Sequence, residues 1–70
     1  MTVSEKIRVL LRRRKMTLTE LAKELGYSRQ YLTTKMRTEK FYLWELEAIA
    51  ELLNCTFETS FITDDTGEKI

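Results

Sequence analysis

The stretch from position 29 to 37 contains no acidic residue, and its polar side chains include Arg29, Gln30, Thr33, Thr34 and Arg37. A guanidinium and an amide can each form paired hydrogen bonds, while threonine offers a hydroxyl and a methyl group. Such groups suit the base edges and phosphates of a nucleic acid duplex. A merely solvated helix more often carries Glu–Lys pairs, which favour helix formation. This segment therefore predicts a surface that hydrogen-bonds to a partner.

The remaining inventory argues against catalysis. The chain has no histidine and one cysteine, so a His- or Cys-based metal site or nucleophilic triad is excluded. Its acidic residues are scattered along helical patterns, and 70 residues are too few to enclose a dry pocket. We expect no enzyme, no cofactor and no small-molecule ligand.

Location is indicated by what the chain lacks. A lone Cys55 cannot form an internal disulfide, which agrees with a reducing compartment. The start shows no charged-then-apolar signal pattern, and no run approaches the roughly 20 apolar residues of a membrane span. We expect a cytoplasmic protein without membrane contact.

The net charge of +1 hides a division along the chain. Residues 1–40 hold eleven Lys or Arg against four Glu, whereas residues 41–70 hold one Lys against seven acids, so the halves carry +7 and −6. A basic front suits a polyanion, and an acidic back limits indiscriminate binding. A chance distribution of solvated faces is the alternative if the basic half carries no motif.

Apolar spacing predicts four helices before residue 56. Thr2, Thr17 and Ser28 each precede an amphipathic run and are predicted N-caps, and the first two have a glutamate three residues later. Gly26 is predicted to end the second helix in the left-handed conformation, and Asn54 the fourth. The fourth helix has an apolar stripe at Leu46, Ile49, Ala50 and Leu53.

From Thr56 the apolar period changes to two. Asp64–Gly67 has the composition of a turn and Glu68–Ile70 can return as a strand, which predicts a short β-hairpin. An unpaired strand edge invites a second chain, so we expect two-fold pairing there. The predicted organisation is a helical domain at 1–55 and a hairpin at 56–70 as candidate dimerisation element. The residues predicted to dimerise are Phe57, Thr59, Phe61 and Ile62.

Two short helices joined by a tight glycine turn, the second with an open polar face, are the pattern of a helix-turn-helix. Residues 4–55 resemble the DNA-binding domains of phage Cro and repressor proteins, the lambda-repressor-like (XRE) family. The resemblance rests on Leu21-Ala22, Gly26, Ser28, Leu32 and the apolar stripe of the fourth helix. It implies a mainly α domain of four to five helices, here with a short C-terminal β-hairpin, whose third helix enters the DNA major groove.

Carried over residue by residue, the resemblance implies that Arg29, Gln30 and Thr34 read bases, with Thr33 beside them. An ion pair within the domain is an alternative role for Arg29. The phosphate-binding residues implied or added on charge and position are Leu18, Tyr27, Ser28, Lys35, Arg37 and Lys40.

One position departs from the family pattern. Family members often have an apolar residue three positions after the equivalent of Leu32, whereas this chain has Lys35, followed by Met36. Either Met36 replaces that residue on the inward face, or the stem of Lys35 lies along apolar surface with its charge in water. Phe41 and Trp44 are interpreted as core and helix-entry packing.

The sequence thus favours a sequence-specific regulator that binds double-stranded DNA, a Cro-like repressor of a phage or other mobile element. We expect a homodimer on a palindromic operator. The alternative is a protein-binding adaptor, antitoxin-like or anti-repressor, that keeps the helix-turn-helix and acts through its acidic half.

Overall fold

The computed structural model describes residues 1–70 and contains four helices. They are α1 (Val3–Arg13), α2 (Leu18–Leu25), α3 (Arg29–Thr38) and α4 (Leu43–Leu52). The architecture is mainly helical, which confirms the predicted fold class. The prediction allowed four or five helices, and only four form. None of the four has the length and apolar character that crossing a membrane requires.

Both predicted capping boxes form. The hydroxyl of Thr2 accepts from the amide of Glu5 at 3.1 Å, and the Glu5 carboxylate accepts from the amide of Thr2 at 3.2 Å. Thr17 and Glu20 repeat the arrangement at 3.1 Å in each direction. Because each box satisfies two amides that otherwise lack partners, the starts of α1 and α2 are set by residues three positions apart.

The core lies between the four helices. Leu21, Leu32 and Leu53 are completely buried at its centre. Around them pack the other members of the buried cluster, Ile7, Leu11, Ala22, Met36 and Ile49. Helix α2 contacts both α3 and α4, and α1 contacts α3. Burial of each large side chain contributes roughly 1.5–3 kcal/mol, which is the main force holding α3 in place.

Gly26 makes the turn between α2 and α3. Its φ is +75°, in the left-handed region, and the amide of the next residue, Tyr27, donates to the carbonyl of Ala22 at 2.8 Å. No atom lies within 4 Å of where a β-carbon would sit on Gly26. Backbone conformation, and not lack of space, is therefore what requires glycine here.

The predicted C-terminal β-hairpin is wrong, since no strand forms. Residues 61–70 fold back through a turn with Gly67 at φ +73°, and one isolated antiparallel bridge joins Ile62 to Lys69. Phe61 and Ile70 exchange backbone hydrogen bonds of 2.9 and 2.7 Å. Residues 56–60 have no strand beside them, and alternation of side chains without a hydrogen-bonding partner does not make a sheet.

The four residues predicted to dimerise do not share one environment. Phe57 is half-buried and lines a groove between α1 and α4, beside Leu10 and Leu46. Phe61 is 83% exposed and Ile62 63% exposed, and Thr59 also lies in solvent. Phe57 thus packs on its own chain, while Phe61 and Ile62 are free to contact another.

Candidate nucleic-acid interface

Helix α3 begins at a side-chain cap and ends in a left-handed residue. The hydroxyl of Ser28 accepts from the amide of Tyr31 at 3.0 Å, which confirms the predicted cap. Glu39 closes the helix at φ +59°. Leu32 and Met36 face the core, as predicted. With these two positions inward, the opposite side of α3 faces solvent.

Of the four predicted base-reading residues, Gln30 and Thr34 lie on that side and Thr33 lies next to it, while Arg29 is the first residue of α3 and lies nearer the inward side. Arg29, Gln30, Thr33 and Thr34 are all exposed. Their side chains form no hydrogen bond or ion pair within the chain, and the molecule has a single salt bridge, which lies elsewhere. The alternative role of Arg29 in an internal ion pair is therefore not realised. All four remain free to bind an external partner.

Four of the six predicted phosphate-binding residues offer a free backbone amide or an unpaired cation. The amide of Leu18 is in the first turn of α2, and that of Ser28 directly precedes α3, where backbone N–H groups lack helical partners. Arg37 and Lys40 are exposed, and neither side chain is paired. Such amides and cations can bind phosphate oxygens.

Lys35 is not available for a phosphate, so this prediction is corrected. Lys35 is only 8% exposed, and its Nζ lies 3.0 Å from Oε1 of Glu45, a residue that is 1% exposed. The same ammonium donates to the carbonyl of Lys40 at 3.2 Å and lies 5.1 Å from the ring centroids of both Tyr31 and Tyr42. A cation bound in this way has no free donor directed at the DNA side.

Tyr27 is corrected for the same reason. It is half-buried, and its hydroxyl donates to Oε2 of Glu45, while its ring meets that of Tyr31 edge-on at 4.9 Å between centroids. Neither the hydroxyl nor the amide of Tyr27, which is bonded to Ala22, is left for a phosphate. Tyr27 instead joins the turn to α4.

The three side chains of this cluster, Tyr27, Lys35 and Glu45, shift one another's pKa values. Burial acts to raise the pKa of Glu45, but hydrogen bonds from Tyr27, the Tyr42 amide and Lys35 outweigh it and hold that pKa below 4.5. The hydrogen bond to Glu45 raises the pKa of Lys35. Burial, followed by the bond to Glu45, raises the pKa of Tyr27. The cluster is therefore an ionised pair with a neutral phenol at neutral pH.

Sequence reasoning missed two contacts that fix the ends of helices. The Nε of Arg14 donates to the carbonyl of Leu53 at 2.7 Å, and its guanidinium also reaches the carbonyl of Asn54 at 3.3 Å. A cation there complements the negative end of α4. Among the four consecutive basic residues at the end of α1, Arg14 thus has a structural role, although no local pattern distinguishes it from its neighbours.

The second missed contact joins α1 to the end of α3. The carboxylate of Glu39 accepts from the amide and the hydroxyl of Ser4. The Ser4 hydroxyl is also within hydrogen-bond distance of the Met36 carbonyl. Hydrogen bonds from Thr2 and Ser4 lower the pKa of Glu39. A negative charge at the start of α1 also matches the helix dipole.

The entry to α4 differs from expectation. Phe41 packs against the core, whereas Trp44 is 62% exposed in the first turn of α4 and is not part of the core. Its ring stacks on that of Tyr42 with 9° between planes and 6.3 Å between centroids, and Leu43 beside them is also exposed. The structure brings together no group of three or more Cys, Asp or Glu side chains that could hold a metal ion.

A helix-turn-helix is therefore present, with α2 and α3 on either side of Gly26 and an unpaired polar face on α3. The family model for the Cro/C1-type HTH DNA-binding domain matches residues 6–65, and the chain belongs to that family. Comparison with curated proteins and comparison with solved structures each gave no match. Membership confirms the resemblance inferred from the sequence and supports binding to double-stranded DNA.

Proposed function

We propose that the protein is a sequence-specific transcriptional regulator that binds double-stranded DNA through the exposed face of α3. The observation that carries this proposal is that Arg29, Gln30, Thr33 and Thr34 are exposed together and unpaired. Arg can bind guanine and Gln adenine through paired hydrogen bonds, while threonine contacts the thymine methyl. The amides of Leu18 and Ser28 and the charges of Arg37 and Lys40 are the groups proposed to bind the DNA backbone.

The test is selection of binding sites from random duplexes by the intact protein, followed by titrations of the selected site and of mixed-sequence DNA at several salt concentrations. We expect one preferred site, bound about 1,000-fold or more tightly than mixed DNA, with an affinity that falls steeply as salt rises. Equal binding to all duplexes, or no binding at low salt, would contradict the proposal.

We further propose that regulation is repression, as in a Cro-like repressor of a phage or other mobile element. Support comes from the family, whose description refers to Cro and C1. Placing the selected site across a promoter of a reporter gene tests the sign of regulation. Reduced transcription when the protein is supplied is expected, and activation would contradict it.

The proposed assembly is a homodimer joined through residues 56–70. Phe61, Ile62 and Ile70 are each more than 60% exposed in the single chain, and a second copy can cover them. Two-fold pairing would place two α3 helices on half-sites about 34 Å apart, as a palindromic operator requires.

A protein-binding adaptor is the second candidate function. Its support is that Tyr42, Leu43 and Trp44, at the start of α4, are all more than half exposed. Three adjacent apolar or aromatic side chains in solvent are a feature of protein-contact surfaces. The salt titration separates the two candidates, since an adaptor without DNA binding shows no salt-dependent affinity.

A further inference from the structure

The ion pair between Lys35 and Glu45 joins the middle of α3 to the first turn of α4. Both partners are buried, and every polar atom of the pair is occupied. Oε1 of Glu45 accepts from Lys35 at 3.0 Å and from the amide of Tyr42 at 2.8 Å, while Oε2 accepts from the Tyr27 hydroxyl. A single carboxylate thus contacts the helix-turn-helix turn, α3 and its own N-cap.

Stability alone does not explain this arrangement. Desolvation of two charges offsets much of their attraction, and well-packed apolar residues of similar volume commonly replace a buried ion pair without loss of stability. What apolar packing lacks is direction, because the hydrophobic effect depends on area and not on angle. Hydrogen bonds weaken steeply when their angles deviate, so an ion pair with three further hydrogen bonds permits few orientations of the helices.

The orientation of α3 needs such a constraint because its inward side is short. Only Leu32 and Met36 among its residues are buried and apolar. Successive residues of a helix differ by about 100° around its axis. An apolar residue at position 35 would therefore let α3 rotate until residues 32 and 35 face the core in place of residues 32 and 36. Such a rotation moves Thr34 away from the centre of the exposed face and brings Gln30 closer to it.

We propose that Lys35 and Glu45 are positioning residues for DNA recognition: their buried pair, completed by Tyr27, sets the rotation of α3 about its axis and thereby which side chains face the major groove. This inference rests on the proposed function of α3. It assigns Lys35 to sequence discrimination without contact to DNA. A lysine on a phosphate would act differently, since it would contribute to binding of all sequences alike.

The experiment compares Lys35→Met, Glu45→Leu and the double variant Lys35→Met/Glu45→Leu with the parent. Lys6→Met is the matched control, because Lys6 is exposed on α1 and the substitution removes the same charge. Each single variant leaves one buried charge unpaired and can lose folded protein for that reason alone. The double variant leaves no unpaired charge, so it is expected to fold and can be tested even if the single variants do not fold. Urea unfolding confirms which variants are folded.

Two readouts are measured on the folded variants. The first is the ratio of affinities for the selected site and for mixed DNA, with its salt dependence. In the double variant we expect this ratio to fall about tenfold or more, as misplacement of one base contact predicts, while the salt slope stays that of the parent. The control should keep the parent ratio.

The second readout needs no DNA. Amide chemical shifts of residues 29–38 in the double variant should differ from those of the parent more than the shifts of α2 do, because α3 has rotated. Parent-like shifts together with a parent-like ratio would overturn the inference. So would a salt slope lower by about one with an unchanged ratio, since that identifies Lys35 as a phosphate contact.

Failure of the proposed function gives a different result. If the parent prefers no duplex sequence, sequence-specific binding is contradicted, and with it the role of the pair in recognition. The chemical shifts then still decide whether Lys35 and Glu45 set the rotation of α3.

Discussion

The hydroxyl of Ser4 lies 2.8 Å from Oε2 of Glu39, so the first turn of α1 is hydrogen-bonded to the residue that ends α3. The Ser4 amide lies 3.2 Å from the same oxygen. Together with the pair of Lys35 and Glu45, this contact attaches α3 to both α1 and α4. Both attachments depend on an ionised glutamate.

Acid should therefore weaken the fold through Glu39 and Glu45. Hydrogen bonds lower the pKa of both carboxyl groups in the folded chain, so each contributes stability that is present above the usual glutamate pKa and is lost as pH falls through the folded pKa. Urea unfolding at a series of pH values should show stability falling as pH drops below the usual glutamate pKa of about 4.3. Glu39→Gln should lower stability at neutral pH and make this fall shallower.

Glu47→Gln is the matched control for that experiment, because Glu47 is exposed on α4 and its side chain has no hydrogen-bond partner. Its stability profile should follow that of the parent. A Glu39→Gln profile that also follows the parent at every pH would show that the contact with Ser4 contributes nothing.

Gln30→Ala and Thr34→Ala should each weaken binding to the selected DNA site by about 1–3 kcal/mol. Both side chains are exposed and unpaired, so we expect their loss to leave the fold intact and to remove only the proposed contacts to bases. The affinity is measured by titration against the selected site and mixed DNA. Circular dichroism measures the helix content of each variant. Parent affinity in both variants would show that another face of the protein reads the sequence.

Arg37→Ala or Lys40→Ala should weaken binding to specific and mixed DNA alike and lower the salt slope by about one. Arg14→Ala is the control, because this guanidinium is bonded to the carbonyls of Leu53 and Asn54. We expect it to reduce stability and to leave the slope unchanged. If Arg14→Ala lowers the slope while the other two do not, the DNA backbone lies along a different side.

Gly26→Ala should cost about 1–2 kcal/mol of stability, because alanine at φ +75° is strained. Gly67→Ala introduces similar strain at φ +73°, but in the exposed C-terminal turn outside the helical core. We therefore expect urea unfolding of the core to be sensitive to the first substitution and nearly insensitive to the second. Equal losses would mean that the C-terminal segment unfolds together with the helices.

Phe61→Ser should shift the proposed homodimer to monomer. Burying this side chain against a second copy is worth roughly 1.5–3 kcal/mol per chain. Sedimentation equilibrium of the intact protein and the variant measures the change. Tyr42→Ser is the control, since Tyr42 is 64% exposed but lies at the start of α4. A dimer lost with Tyr42→Ser and kept with Phe61→Ser would move the interface to α4.

The sequence by itself determined the four helices, the N-caps of the first three and the turn at Gly26. These features follow from contacts over three or four residues, as in Thr2 with Glu5 and Thr17 with Glu20, and such contacts form in any helix with the same local sequence. The face of α3 was equally predictable, since Leu32 and Met36 define the inward side and the helical period places Gln30 and Thr34 opposite.

Only the tertiary structure decided the roles of Lys35, Tyr27 and Arg14. Lys35 differs from the family pattern, and this was a signal, but its partner Glu45 lies on another helix, and Arg14 reaches a carbonyl 39 positions away. The prediction of a C-terminal hairpin failed for a related reason. A strand needs a second strand to pair with, and the alternation of residues 57–62 describes only one of the two. Whether a charge is solvated, paired or buried depends on how helices pack, which local sequence does not encode.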